Sequence, residues 1–234
     1  MKRTLSWRLR NSTKNGAGLT NIRHKKVLAA KEAHFPYNRR KLGDTPANIC
    51  RHLFTTEIFM AKQSSDTFIP VNIAVLTVSD TRTEASDTSG QTLVSRLQEA
   101  GHQLAEKRIV TDDVYQIRAV LSRWIADPQT DVVLINGGTG ITFRDVTPEA
   151  VKPLLDKEIE GFGELFRTVS LKDVETSTIQ SRALGGIANG TFIFCLPGST
   201  GACRTAWDAI LRFQLDSLNR PCNFVELMPR LRPH

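Results

Sequence analysis

The sequence predicts an α/β protein, a three-layer α/β/α sandwich built around a mainly parallel sheet. Short apolar, β-branched runs recur along the chain, amphipathic helical segments separate them, and loops rich in glycine or hydroxyl residues follow them. Strands that alternate with helices require right-handed crossovers, which place helices on both faces of a parallel sheet. Such sheets bind ligands at the carboxyl ends of their strands, so a functional motif in this chain should directly follow a strand.

The first strand–helix–strand unit follows from the pattern of residues 71–110. The run V-N-I-A-V-L-T-V at 71–78 is nearly continuous in apolar residues and predicts a strand buried on both faces. A helix should begin near Thr88, which has capping-box spacing to the glutamine three residues later, and end at Gly101 in a left-handed cap. The second strand is predicted at 103–110.

The alternation of helices and strands continues to the end of the chain. A helix at 114–126 should bury Ile117, Leu121 and Ile125, and the run D-V-V-L-I at 131–135 should form a third buried strand. The same patterns predict helices at 148–157 and 161–171, a further helical stretch around 173–184, a fourth strand at 191–196 and a closing helix at 201–218.

The charge distribution divides the chain near Met60. Residues 1–59 contain 13 Lys and Arg against 3 Asp and Glu, whereas residues 60–234 contain 18 against 21. The basic character therefore belongs to a leader, which argues against nucleic acid as the partner of the rest of the chain. We expect a folded domain at 66–225 and a short tail at 226–234.

Several interpretations of the basic leader stay open. The sequence M-A-K-Q at 60–63 resembles an ordinary protein start, which would place the leader upstream of the true first residue. A disordered extension would fit its lack of apolar periodicity, and an Arg-rich, acid-poor N-terminus also resembles an organellar transit peptide. Binding of nucleic acid by the leader is a further alternative, and its signature would be a steep salt dependence.

The composition excludes a membrane-spanning protein and argues against a disulfide scaffold. The sequence has no apolar run of roughly 18 residues, so no membrane span is expected. The cysteines form no C-x-x-C pair, and Cys50 alone has a histidine close by in the sequence, His52, which indicates reduced thiols and argues against zinc. We therefore expect a cytoplasmic protein. The four cysteines are Cys50, Cys195, Cys203 and Cys222.

The strongest candidate site is the loop N-G-G-T-G at 136–140, directly after the third predicted strand. Its three glycines let backbone N–H groups converge on an anion without obstruction by Cβ atoms. Thr147 is expected to cap the next helix, with Pro148 at its first position, which would set the positive end of that helix beside the loop. The loop is neither a P-loop nor a dinucleotide fingerprint, because the motifs G-K-[ST] and G-x-G-x-x-G are absent.

Carboxylates follow two of the predicted strands. Asp145 would lie beside the expected phosphate site, where repulsion disfavours it unless a divalent metal lies between the two groups. Asp112 and Asp113 follow the second strand, where an aspartate is also a common helix cap. Two carboxylates that hold Mg²⁺ against substrate phosphates are usual in phosphoryl and nucleotidyl transfer.

Two further loops should meet the glycine loop at the same edge of the sheet. Ser79 and Asp80 follow the first strand, and the run L-P-G-S-T-G at 196–201 precedes the closing helix. Hydroxyl groups at the start of a helix suit an anionic ligand. The alternative is that both segments are ordinary turns and caps.

Taken together, these motifs resemble the MoaB/MogA family, over residues of about 66–225. The segments that carry the resemblance are V-L-T-V-S-D at 75–80, I-N-G-G-T-G at 135–140, R-D-V-T-P-E-A at 144–150, G-F-G-E-L-F-R at 161–167, L-P-G-S-T at 196–200, A-C-R-T-A-W at 202–207 and R-P-C-N-F at 220–224.

The resemblance implies a MogA/MoaB-like domain that assembles as a trimer, or as a hexamer built from two trimers. It also implies binding of molybdopterin, a phosphorylated pterin, across the glycine loop and the P-G-S turn. Active members of the family adenylylate the terminal phosphate of molybdopterin with Mg-ATP. On this basis the expected substrate-binding residues are Ser79, Asp80, Gly137, Gly138, Thr139, Gly140, Pro197, Gly198 and Ser199.

Two aspartates are catalytic in the active members, and by position they match Asp112 and Asp145. The resemblance makes these two residues the expected ligands of Mg²⁺, with Asp113 as an alternative to Asp112. The alternative function is a catalytically silent molybdopterin-binding or carrier protein, which metal-dependent turnover would distinguish. Other molybdenum cofactor biosynthesis proteins are candidate partners, whereas nucleic acid and membranes are not expected.

Overall fold

The computed structural model describes residues 67–231, and the predictions made for residues 1–59 and for Cys50 lie outside the described residues. The described chain forms a six-stranded sheet. Its strands are β1 (Asn72–Val78), β2 (Gln103–Val110), β3 (Val132–Asn136), β4 (Lys157–Glu158), β5 (Leu184–Ala188) and β6 (Thr191–Leu196). The order across the sheet is β2-β1-β3-β6-β5-β4.

Four neighbouring strands, β2, β1, β3 and β6, are parallel; β5 pairs antiparallel with β6, and β4 pairs antiparallel with β5. The helices are α1 (Thr88–Glu99), α2 (Val114–Ala126), α3 (Thr147–Val151), α4 (Glu160–Val174), α5 (Thr200–Ala206) and α6 (Arg212–Gln214). A π-helical segment, Trp207–Leu211, joins α5 to α6. Short 3-10 helices occupy Lys152–Leu154, Glu175–Gln180 and Val225–Arg230.

The two faces of the sheet carry two separate hydrophobic clusters. Helices α1, α4 and α5 pack on one face, where Leu97, Phe166 and Trp207 meet side chains of alternate strand positions such as Val75 and Phe194. Helices α2 and α3 pack on the other face. Because strand side chains alternate between faces, nearly every residue of β1, β3 and β6 is buried. The predicted three-layer, mainly parallel architecture is therefore confirmed.

Most of the predicted elements appear close to their expected positions, with differences at helix ends. Gly101 has a φ of 86° and ends α1 as predicted. Helix α2 buries Trp124 in place of the half-buried Ile125. The predicted helix at 148–157 is shorter, because α3 passes into a 3-10 turn that contains Pro153, a residue without the N–H that would continue the α-helical hydrogen bonds.

The predicted helical stretch at 173–184 was wrong over its second half, and the strand β5 that follows it was not predicted. Strand β5 pairs with β6 through a two-residue turn at Asn189 and Gly190, whose φ angles are 47° and 81°. Positive φ at both positions is the geometry of a type I′ hairpin, for which Asn-Gly is a strong sequence signal. Two glycines, Gly185 and Gly186, weaken the apolar pattern of β5 and conceal it.

The register of the parallel strands aligns the ends that carry the functional motifs. Thr77 pairs with Asn136, and Asn136 pairs with Leu196, so the loops after β1, β3 and β6 leave the sheet side by side. Strand β1 lies between β2 and β3 in the sheet. The chain therefore runs from β1 to β2 on one side and then crosses back past β1 to form β3 on the other side. The crevice between β1 and β3 is therefore a topological switch point, where open α/β sheets bind ligands.

A buried polar network supports this crevice from within the sheet. The side chain of Asp87 is fully buried and forms an ion pair with Lys107, at 2.9 Å. It also accepts hydrogen bonds from the Thr77 hydroxyl, at 2.8 Å, and from the backbone N–H of Gly90, at 2.9 Å. Asp87 is thus the cap of α1, and the prediction that Thr88 caps the helix was wrong.

In the described part of the chain, no helix is long and apolar enough to cross a membrane. The thiols of Cys195, Cys203 and Cys222 are free, as the sequence predicted. Burial raises the pKa of the Cys203 thiol to about 12 and also raises that of Cys195, so both thiols stay protonated near neutral pH.

Replacing Asp87 should destabilise the protein in a pH-dependent way. Burial alone would raise the pKa of Asp87, but the hydrogen bonds from Lys107, Gly90 and Thr77 outweigh it and lower the pKa. Its stabilisation is therefore present above the unfolded-state pKa near 4 and is lost as the pH falls through the lower folded-state value. We expect Asp87→Asn to lower the free energy of unfolding by about 3 kcal/mol at pH 7, measured by urea denaturation.

Glu84→Gln is the matched control, because Glu84 contacts the same Lys107 from a position that is 69% exposed. An exposed partner of this kind contributes less than about 1 kcal/mol. The difference between Asp87→Asn and the wild type should shrink towards pH 3. Equal effects of the two substitutions would contradict the assignment of Asp87 as the buried anchor of this network.

Candidate functional site

The loops after the parallel strands border one cavity of about 890 Å³ at the carboxyl edge of the sheet. Its volume is in the range of pockets that hold drug-sized ligands. The sequence-predicted site residues line it, except Asp80 and the alternative metal ligand Asp113: Ser79, Asp112, Gly137, Gly138, Thr139, Gly140, Asp145, Pro197, Gly198 and Ser199.

Gly137 lies where three backbone segments come closest together. Its φ is 102°, and a Cβ atom at this position would lie 2.1 Å from the carbonyl oxygen of Val78. A Cβ atom on Gly198 would in turn lie 3.1 Å from the Cα atom of Gly137. Only glycine allows this approach, so the glycine loop is held directly against β1 and the P-G-S turn.

The glycine loop presents unused backbone donors at the cavity. The N–H of Gly137 donates to Leu196 O at 3.0 Å, and the N–H of Gly140 is close enough to the carboxylate of Asp145 to lower its pKa. The N–H groups of Gly138 and Thr139 donate to no acceptor among residues 67–231. The φ of Gly138, 62°, continues the turn begun by Gly137. Successive N–H groups in such a turn form a concavity that suits an anion.

Thr147 holds the glycine loop through hydrogen bonds and does not cap α3. The predicted cap was wrong, because Thr147 is the first residue of α3 and makes no capping hydrogen bond. Its hydroxyl instead donates to Gly137 O at 2.8 Å, and its N–H donates to Gly138 O at 3.0 Å. The hydroxyl is therefore used to hold the glycine loop against α3.

Asp112 and Asp113 have different environments. Asp113 caps α2, with one carboxylate oxygen that accepts from the N–H groups of Tyr115 and Gln116, both at 2.9 Å. Asp112 lines the cavity beside Gly138, where a Cβ atom would lie 3.1 Å from the Asp112 carboxylate. Burial and the neighbouring carboxylate of Asp80 raise the pKa of Asp112, and Asp145 adds to the rise.

Asp80 supports the Asp112 loop from outside the cavity. Its carboxylate accepts from the backbone N–H of Asp112 at 3.1 Å and pairs with the guanidinium of Arg144. The hydrogen bond from Arg144 lowers the pKa of Asp80. Asp80 thereby connects the loops after β1, β2 and β3, although it does not line the main cavity.

The carboxylate of Asp145 lies against its own loop. It accepts from the backbone N–H of Thr142 at 2.8 Å and from the Thr142 hydroxyl at 2.6 Å. Burial would raise the pKa of Asp145, but these hydrogen bonds and the nearby backbone N–H of Gly140 lower it. Asp145 is therefore an ionised carboxylate at the rim of the glycine loop.

The loops after β1 and β6 present hydroxyl groups to the cavity beside the glycine loop. Ser199 caps α5, since its hydroxyl oxygen accepts from the N–H of Ala202 at 3.2 Å. Its hydroxyl hydrogen stays available to a ligand. The hydroxyl oxygen of Ser79 accepts from the N–H groups of Thr81 and Arg82, both at 3.3 Å, and it too can still donate.

Arg182 holds the site together and was not predicted from the sequence. Its backbone N–H donates to Thr139 O at 3.0 Å, and its Nε and Nη2 donate to the carbonyl oxygens of Gly140 and Asp145, both at 2.6 Å. Its Nη1 pairs with Glu149. One side chain thus fixes both Gly140 and Asp145. No local motif surrounds Arg182, so only the tertiary structure reveals this role.

The cavity also extends past the glycine loop into a region that the sequence did not indicate. We call this region the far half of the cavity. It lies between α4, the 3-10 segment after it and the beginning of α5. Its residues belong to helical patterns that predict packing and carry no ligand-binding motif. The far half is lined by Phe166, Ser170, Asp173, Ser177, Thr178 and Thr205.

Arg182→Lys should loosen the glycine loop, because a compact ammonium group does not reproduce the planar fork whose Nε and Nη2 each donate to a carbonyl oxygen. The matched control is Arg118→Lys, since Arg118 also donates to two backbone oxygens, Ala150 O at 3.1 Å and Glu149 O at 3.0 Å. Both variants should lose about 1–2 kcal/mol of stability. Only Arg182→Lys should speed hydrogen exchange of the amides of residues 139–145. Equal exchange in both variants would contradict the role assigned to Arg182.

Comparisons with known proteins show which family the chain is similar to. Residues 74–217 match the family described as "Probable molybdopterin binding domain". Molybdenum cofactor biosynthesis protein B of Escherichia coli (strain K12) is 56% identical over 162 residues, which cover 69% of this chain and 95% of that protein.

Solved structures show the same likeness. A crystal structure of a molybdenum cofactor biosynthesis protein B matches with a TM-score of 0.63 and 44% identity, over 70% of this chain and 96% of that chain. The molybdopterin biosynthesis enzyme MoaB from Thermus thermophilus matches with a TM-score of 0.55 and 35% identity, over 60% of this chain and 89% of that chain.

Proposed function

The chain belongs to the family of molybdenum cofactor biosynthesis protein B, and we propose that it binds molybdopterin and adenylylates the terminal phosphate of that ligand with Mg-ATP. The observation that carries the proposal is one cavity that combines the unused N–H groups of Gly138 and Thr139 with the carboxylate of Asp112. The N–H groups suit a phosphate, whereas the carboxylate suits a metal ion that accompanies a nucleotide.

In this proposal the glycine loop takes the terminal phosphate of molybdopterin. The N–H groups of Gly138 and Thr139 donate to its oxygens, and the Ser199 hydroxyl donates from the facing turn. Donors that are already fixed in position cost little reorganisation when charge develops in the transition state. The loop is fixed in this way by Gly137, Thr147 and Arg182.

The carboxylates of the site fit Mg²⁺, which prefers one or two carboxylates together with substrate phosphates. Burial, Asp80 and Asp145 all raise the pKa of Asp112, so a cation beside its carboxylate would relieve an unfavourable charge. Asp112 and Asp145 would hold the ion in our proposal. When bound, Mg²⁺ would neutralise charge on the ATP phosphates.

Adenylylation requires no general base from the protein. A phosphate monoester is already ionised near pH 7, so one of its oxygens can attack the α-phosphorus of ATP directly. A P–O bond forms to the α-phosphorus as the bond to the leaving pyrophosphate breaks. The lack of histidine among the cavity-lining residues agrees with this chemistry. The protein supplies position and charge stabilisation.

A second candidate function is a molybdopterin-binding or carrier protein without turnover. The hydrogen bonds that Asp145 accepts from Thr142 favour it, because they give this carboxylate a structural use without any metal. Binding of the pterin phosphate by the glycine loop would be the same in both candidates. Only metal-dependent release of pyrophosphate separates them.

Asp112→Asn and Asp113→Asn form a matched pair that tests adenylylation. Asp112→Asn should lower turnover by at least about 100-fold, the scale of losing one major electrostatic stabiliser. Asp113→Asn should keep near wild-type turnover, because asparagine caps a helix about as well as aspartate. The measurement is pyrophosphate release with molybdopterin, ATP and a Mg²⁺ titration.

Thermal unfolding of the same variants separates loss of chemistry from loss of fold. Because the fold raises the pKa of Asp112, its ionised form costs stability above the unfolded-state value near 4. Asp112→Asn should therefore raise Tm slightly at pH 7, with the gain vanishing below about pH 4. No pyrophosphate release from the wild type would overturn adenylylation and leave the carrier function. Equal turnover in both variants would overturn the role of Asp112.

We also propose that the protein is a closed oligomer, a trimer or a dimer of trimers. The family resemblance motivates this proposal, and several large apolar side chains are exposed on the single chain, among them Tyr115, Phe143 and Ile179. Light scattering at low micromolar concentration should give three or six times the chain mass of 26.1 kDa. A purely monomeric protein would contradict the proposal.

A further inference from the structure

We infer that Arg144 determines which cation the proposed metal site accepts, because its ion pair with Asp80 keeps a third carboxylate away from the metal ion. The inference rests on the proposed function, since it takes Asp112 and Asp145 to hold Mg²⁺ beside the nucleotide. It goes further by making the selectivity of that site depend on a residue that touches neither the metal ion nor the nucleotide.

Asp80 lies close to both of the proposed metal ligands. Its Oδ1 accepts a hydrogen bond from the backbone N–H of Asp112 at 3.1 Å. Its Oδ2 is bound by Arg144, the residue directly before Asp145. Ser79, which directly precedes Asp80, lines the cavity, and the Cα atoms of adjacent residues are only about 3.8 Å apart. A change of side-chain rotamer would therefore direct the carboxylate of Asp80 towards the cavity.

Arg144 holds the Asp80 carboxylate outside the cavity. The Nε of Arg144 donates to Oδ2 of Asp80 at 3.0 Å, and the Nη2 donates to the same oxygen. Because Oδ1 accepts from the backbone N–H of Asp112, both carboxylate oxygens of Asp80 are engaged. Of Asp80, Asp112 and Asp145, only Asp80 forms an ion pair within residues 67–231. The ion pair thus leaves two carboxylates, and not three, for a cation at the cavity.

The number of carboxylates decides which cation a site prefers. Mg²⁺ keeps several waters and is usually held by one or two carboxylates together with substrate phosphates. Ca²⁺ is larger and takes about six to eight oxygen ligands in a flexible arrangement, so additional carboxylates favour it. A site with two carboxylates should bind a cation weakly until a nucleotide adds its phosphates. A third carboxylate should allow binding without nucleotide and should favour Ca²⁺.

Binding of Mn²⁺ to the full chain without nucleotide, followed by electron paramagnetic resonance, tests the inference. Mn²⁺ prefers oxygen ligands, and competition with Ca²⁺ or Mg²⁺ gives the affinities of these ions. We expect Arg144→Gln to bind Mn²⁺ and Ca²⁺ roughly tenfold more tightly than the wild type, because the charge of the ligands tunes affinity. Mg²⁺ should gain less. The variant should stay folded, since the side chains of Arg144 and Asp80 are 59% and 39% exposed.

Two control variants separate release of Asp80 from a general loss of positive charge. Arg82 lines the same cavity, but it donates to Ser86 O and to the Thr88 hydroxyl and, within the described chain, to no carboxylate. Arg82→Gln therefore measures the effect of removing one charge alone. The double variant Asp80→Asn/Arg144→Gln has no third carboxylate, so its Ca²⁺ affinity should fall back to that of Arg82→Gln.

The outcomes separate this inference from the proposed function. Calorimetric titration of the wild type with α,β-methylene-ATP, with and without Mg²⁺, tests the metal site itself. If Mg²⁺ does not strengthen binding of this analogue, the proposed metal site fails and the inference fails with it. If Mg²⁺ strengthens binding, but Arg144→Gln binds Ca²⁺ no more tightly than Arg82→Gln, the metal site stands and the role of Arg144 is overturned. A double variant that keeps the tighter Ca²⁺ binding would overturn the role of Asp80.

Discussion

The close approach of three backbone segments at Gly137 is the constraint on which the site depends. There the N–H donates to the end of β6, the carbonyl accepts from Thr147, and any side chain would collide with β1. The loops after β1, β3 and β6 therefore cannot move independently of one another. Gly138 and Thr139 directly follow Gly137, so the close approach at Gly137 also fixes the orientation of their N–H groups. Backbone geometry alone thus forms a site that suits an anion. Arg182 fixes the far end of the glycine loop through Gly140 O.

The aspartates around the crevice differ in what surrounds them. Asp87, Asp80 and Asp113 are each satisfied by a cation or by backbone N–H groups, and their carboxylates hold the scaffold. Asp112 lies within the same group of loops, yet its neighbours and its burial disfavour its negative charge. A fold that tolerates such a carboxylate at a cavity wall sacrifices some stability there, which is common where a charged ligand is to be bound.

The sequence predicted the central parallel strands and the loops after them, because a buried strand and a glycine-rich turn each leave a local pattern. It did not reveal β5, where Gly185 and Gly186 let Phe162 and Leu155 pack directly on the backbone and so remove the apolar signal. Capping was misassigned at Thr88 and Thr147, since a hydroxyl near a helix start can serve a tertiary contact instead. Arg182 and the far half arise from residues that only folding brings together.

The two edges of the sheet have a consequence for how copies of the chain can meet. One edge strand, β4, is only two residues long and consists of Lys157 and Glu158, whereas the other, β2, carries consecutive charges at 106–108. Short or charged edges are poor templates for pairing with a strand of another molecule. We therefore expect contact between copies to use helices and loops, and a concentrated solution of the folded domain should resist growth into β-sheet aggregates.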